Sequence, residues 1–141
     1  MPIVRLLAAV VIVAFAAVTA RAELAATDRS AIEATISAQI AAFRDDDGAA
    51  AFAFAAPGIR AQFGDAETFM TMVRTGYVAV YRPQAVRFLA LSVADGVPTQ
   101  EVLVIGPDGS PYFALYKMER QSDGSWRIGG VALVRAEDEE T

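Results

Sequence analysis

Tyr112-Phe113-Ala114-Leu115-Tyr116-Lys117-Met118-Glu119-Arg120-Gln121-Ser122-Asp123-Gly124-Ser125-Trp126-Arg127-Ile128 decides the fold. Read with a period of two, Tyr112, Ala114, Tyr116 and Met118 share one face of a strand, while Phe113, Leu115, Lys117 and Glu119 share the other. Asp123-Gly124 is a turn signal, and Trp126 to Arg135 resumes as a second strand. Neither face of the first strand is polar along its full length. A sheet with one wet face alternates cleanly, so both faces are expected to be covered in part. Helices would cover one, and a partner subunit or a fold-back of the chain the other. Gly129-Gly130 interrupts the last strand and predicts a bulge that curves the sheet.

Upstream, Thr99 to Ile105 and Val86 to Val93 are two further strand-like runs, set off by Pro107-Asp108-Gly109 and Asp95-Gly96. Four runs joined by short turns predict an antiparallel meander. Before about Gln84 the period changes to 3.6. Ser30-Ala31-Ile32-Glu33 has the form of a capping box, and Ile32, Ile36, Ile40 and Phe43 make one helical stripe. Asp45-Asp46-Asp47-Gly48 ends that helix, and Asp47 is placed to cap a short second one carrying Phe52 and Phe54. Pro57-Gly58 reads as a break, followed by a turn over Ile59 to Phe63. Asp65 caps a third helix with Phe69, Met72 and Val73 on its buried side, and Gly76 is expected to end it in the left-handed region. Helices first and strands afterwards is α+β order: three N-terminal helices packed on a curved antiparallel sheet of about four strands.

The ends of the chain are different in kind. Met1 to Arg5 is a short positive start, Leu6 to Ala20 is 15 residues without a charge, and Ala20-Arg21-Ala22 offers small residues at both cleavage positions. This predicts a secretory signal over 1–22, cleaved at the site marked by Ala20 and Ala22. The rival reading, an uncleaved membrane anchor, needs about 20 apolar residues. A single domain over 23–135 and a disordered acidic tail over 136–141 follow, and export to the periplasm or the extracellular space is expected. Losing Arg5 and Arg21 takes Lys plus Arg from 12 to 10 against 17 Asp plus Glu, so the net charge moves from −5 to −7. So acidic a chain gains nothing from phosphate attraction; nucleic acid is excluded as a partner, as is the membrane after cleavage.

The chain contains no Cys and no His. Disulfides, thiol nucleophiles, Ser-His-Asp catalysis and ordinary zinc sites are therefore ruled out. Asp45-Asp46-Asp47-Gly48 lacks the spacing of a calcium loop. No G-x-S-x-G, P-loop or dinucleotide fingerprint occurs, so neither a metal nor a cofactor is expected.

Helices followed by a curved sheet ending in Asp123-Gly124-Ser125-Trp126-Arg127-Ile128 resemble the nuclear-transport-factor-2-like cone. More specifically, roughly residues 28–135 resemble a family of small secreted bacterial proteins, domain of unknown function 4864. The segments that carry this are Ile40 to Asp47, Ala53 to Ile59, Phe69 to Val73 with Tyr77 to Pro83, and Trp126 to Gly130. The resemblance implies a fold, a compartment and a pocket between helices and concave sheet face, with no catalytic residues to carry over. Tyr77, Tyr81 and Tyr116, with Tyr112 beside them, are candidates to line that pocket around a small apolar ligand. Arg87, near Arg74 and Arg82, is a candidate for an anionic group. The favoured expectation is a non-catalytic exported domain that binds a small apolar ligand or acts as an interaction module. The alternative is a His-free isomerase-like or lyase-like enzyme, with a pocket carboxylate from among Asp65, Glu67, Glu101 and Glu119 opposite a tyrosine. Phe113 and Leu115, facing away from the tyrosines, suggest a homodimer through the sheet.

Overall fold

The structure, a computed structural model, describes residues 24–136. The expected signal over 1–22 and the tail from Glu137 onward lie outside the described residues.

Helix α1 spans Ala26–Arg44. It starts four residues before the Ser30 box, because the carboxylate of Asp28 turns back to accept the Ala25 N–H at 3.2 Å. Ser30 is consequently an interior, exposed position. Asp28 also holds Arg120 at 3.3 Å, joining the start of α1 to the sheet. Asp47 caps α2 (Gly48–Ala53) through the Ala50 N–H, and Asp65 caps α4 (Ala66–Gly76) through the Thr68 N–H at 2.8 Å. Between them, Pro57–Phe63 is a helix, α3, and not the expected turn. Proline stops a helix that approaches it but is well suited to the first position of the next. Gly76 is the last residue of α4, followed by Tyr77 at φ −135, so it makes no left-handed end. Gly64, closing α3 at φ 82, is the glycine that does. A single turn, α5 (Val78–Tyr81), leads to the sheet.

Strands β1 (Ala85–Ala94), β2 (Val97–Ile105), β3 (Pro111–Arg120) and β4 (Trp126–Arg135) pair antiparallel in the order β1-β2-β3-β4. Together with the preceding helices they form the expected curved α+β architecture. Lys117 opposes Gly130 and Met118 opposes Ile128, leaving Gly129 as the extra residue of a bulge. A Cβ at Gly129 would collide with the Glu119 carboxylate lying across it. A second irregularity interrupts β1 between Phe88 and Leu91. Two departures from flat pairing, one in each outer strand, bend the sheet around the helices. The free edge of β4 is covered locally: the Ala56 N–H donates to the Ile128 carbonyl and the Ile128 N–H to that of Phe54, each at 2.8 Å.

The core lies between the helices and the inner sheet face, where Ile32, Ile36, Phe43 and Met70 meet Val102, Val104, Ala114, Tyr116 and Met118. The outer face carries Leu103, Ile105, Phe113, Leu115 and Val134, all half-buried. Among the described residues, no helix is long and apolar enough to cross a membrane.

Candidate functional site

The helices do not fill the space they enclose. A cleft of about 310 Å³ opens between α1, α3, α4 and the bulged end of β4. Phe69, Met72 and Val73 recur at the spacing that makes one face of α4, and that face is one wall. Ile59 and Phe63, four apart on α3, form the second, with Gln62 exposed beside them. The aromatic rings lock this arrangement, with Phe69 at 5.9 Å from Phe63, 5.3 Å from Phe52 and 6.3 Å from Phe43. Tyr77 and Val80 complete the helical side, and Ile128, Gly130 and Val131 supply the floor.

The lining holds three polar side chains, Gln39, Gln62 and Tyr77, and no charged one. Gln39 is the unusual member. It is 3% exposed, and its amide nitrogen donates to the Ala51 carbonyl at 3.1 Å. That bond fixes the amide orientation, because only the nitrogen can face a carbonyl.

Of the four residues expected at a ligand site, Tyr77 alone lines the cleft. Tyr81 is engaged elsewhere: its hydroxyl donates to Asp46 and accepts from Arg74 Nε at 3.3 Å, and Arg82 stacks 4.0 Å from its ring centroid. Arg82 also bonds Asp46 at 2.8 Å and donates to the Phe43 carbonyl, tying the end of α1 to α5. The Tyr81 hydroxyl, followed by Arg82, holds the Asp46 carboxyl below its ordinary range. Tyr116 is fully buried in the core, where burial pushes its hydroxyl far up and keeps it neutral. Arg87 is exposed on the outer sheet face, apart from the Arg74–Arg82 pair. The four do not converge.

The carboxylates are equally dispersed. Asp65 is a cap, Glu67 and Glu119 are exposed, and Glu101 lies on the outer sheet face. Proton transfer of the kind considered above needs an acid and a tyrosine hydroxyl in one cavity, and the lining has Tyr77 without an acid. Among the described residues, no three acids gather as a metal-holding group. The cleft residues that went unread in the sequence are Gln39 and the α3 trio Ile59, Gln62 and Phe63. The i, i+4 pair behind a helix-starting proline was the available signal.

The model of one protein family, domain of unknown function DUF4864, matches residues 25–141. The chain belongs to this family. The DUF4864 match runs through every element that builds the cleft, from α1 to β4. No curated protein and no solved structure matches the chain.

Proposed function

We propose that this DUF4864 protein is an exported, non-catalytic carrier or sensor that binds a small apolar ligand in the cleft between its helices and sheet. The observation that carries this reading is an open, charge-free cleft of about 310 Å³ with an almost wholly apolar lining. An apolar wall left in water forgoes burial, and a ligand restores it. Export is supported by the signal-like residues 1–22 and by a family match that starts at residue 25, just beyond the expected cut. The order of helices and meander, with Trp126 buried at the end of the sheet, supports a nuclear-transport-factor-2-like cone.

A neutral lipophilic fluorophore such as N-phenyl-1-naphthylamine tests the ligand reading. It is expected to bind with enhanced emission and micromolar affinity. Val131→Phe, which adds bulk on the cleft floor, is expected to weaken that binding at least tenfold while the protein stays folded by circular dichroism. Equal binding by both proteins would refute the cleft as the site.

A second surface favours self-association. The outer sheet face has contiguous half-buried apolar residues beside Arg87 and Glu101, neither of which makes an ion pair among the described residues. We infer that it docks a second copy of this chain.

A further inference from the structure

Gln39 gives the cleft a chemical preference. It stands on α1 at the wall of the cleft, 3% exposed. Its amide nitrogen is committed to the Ala51 carbonyl at 3.1 Å, which ties α1 to α2 and turns the amide oxygen the other way. That oxygen accepts no hydrogen bond among the described residues, yet it is not sealed in the core as the Gln100 oxygen and Tyr116 hydroxyl are. A buried amide with one N–H engaged and its oxygen open is a directional feature. Its oxygen can accept a hydrogen bond from a hydroxyl group in the cleft. Neither Lys nor Arg lines the cleft to neutralise an anion, and neither Asp nor Glu lines it to neutralise a cation.

We propose, resting on the ligand-binding reading above, that the cleft selects an uncharged amphiphile whose hydroxyl donates to the Gln39 amide oxygen: a medium-chain or terpenoid alcohol, in preference to the matching carboxylate or amine. Burying an unpaired carboxylate in apolar surroundings is strongly disfavoured, whereas a hydroxyl loses only water bonds that Gln39 replaces. An apolar cavity of about 150 Å³ accommodates one benzene ring. The cleft, at about 310 Å³, therefore suits a chain of roughly ten to twelve carbons.

The test compares 1-decanol, decyl methyl ether and decanoate at pH 8 by displacement of the bound fluorophore from the full-length protein. Decanol is expected to bind roughly five times more tightly than the ether, which has the same chain and no donor, and at least about tenfold more tightly than decanoate. In Gln39→Leu the alcohol and ether are expected to bind equally. Because that comparison is a ratio within one variant, a general loosening of α1 against α2 cancels from it. Should Gln39→Leu fail to fold, Gln39→Met offers the same loss of acceptor in a more adaptable side chain, and the wild-type ranking stands without either variant. Three equal affinities, or tightest binding by decanoate, would overturn the alcohol preference and leave the apolar-ligand reading intact. Failure of all three ligands and of the fluorophore to bind would overturn both.

Discussion

Tyr116 is the residue at which burial and polarity are least reconciled. Its side chain has no exposed surface, and its hydroxyl meets no hydrogen-bonding partner among the described residues. Gln100, its cross-strand neighbour on β2, is in the same position: the amide nitrogen is engaged by the Leu89 and Glu101 carbonyls at 3.2 and 2.9 Å, while the oxygen is not. Burying a polar group without a partner costs about 1–3 kcal/mol, and removing the group recovers it. Tyr116→Phe deletes the hydroxyl and keeps the ring, so it is expected to leave stability unchanged or raise it by up to about 1 kcal/mol. Tyr116→Ala removes the ring as well and is expected to cost about 3–5 kcal/mol, the usual toll of emptying an aromatic site in a core. Urea denaturation of both variants reads this directly. If Tyr116→Phe cost more than about 1 kcal/mol, the hydroxyl would have to be satisfied in solution.

At the scale of elements, aspartates are the fasteners. Asp46 joins the end of α1 to Tyr81 and Arg82. Asp65 caps α4, Asp108 bonds the Ser110 N–H in the β2–β3 turn, and Asp123 bonds Ser125 in the β3–β4 turn. Each is held below the ordinary carboxylate range, by Tyr81, the Thr68 N–H, the Ser110 N–H and the Ser125 hydroxyl respectively. A carboxyl depressed in the folded state adds stability above its unfolded pKa and loses it as the pH falls through the folded one. With no His to titrate, stability is expected to be flat from about pH 8 to 5 and to decline below about pH 4. Replacing all four by Asn keeps a side-chain acceptor for caps and turns but removes the charge. That variant is expected to lose most of the acid limb in urea midpoints measured against pH, and an unaltered limb would refute the assignment. Asp47 and Asp65 were readable as caps because an acid before an apolar periodic run has few other uses. The meander and its Gly129 bulge were readable because strands alternate with period two and glycines are costly inside them. The start of α1 was hidden because Asp28 caps backwards, a bond that no pattern ahead of Ser30 announces. The cleft was hidden because Pro57-Gly58 reads locally as a break, although proline here starts α3, and because which tyrosine faces a cavity depends on helix packing that no local spacing encodes.

On the whole molecule, the outer sheet face is the surface with most to gain from a second copy. Arg87, Leu103, Phe113 and Val134 oppose one another across the four strands as one row, and Glu101, Leu115 and Ala132 form the adjacent row. A two-fold axis running across the strands between these rows exchanges them. Phe113 of one copy then lies over Leu115 of the other and Val134 over Ala132, while Arg87 is offset sideways by one strand spacing, about 4.8 Å, from the other copy's Glu101 across sheets about 10 Å apart, a gap their long side chains can span. A two-fold contact of this kind is isologous, so each pair would occur twice. Sedimentation equilibrium is expected to return a dimer at about 100 μM protein, in the range where interfaces of modest size associate. Arg87→Glu sets like charges together twice and is expected to weaken the dimer at least about tenfold, each exposed pair being worth up to about 1 kcal/mol. Arg87→Glu combined with Glu101→Arg reverses both partners and is expected to restore association, which a merely destabilised surface would not do. A monomer at that concentration, or a double reversal no better than the single one, would rule this face out as a self-association surface.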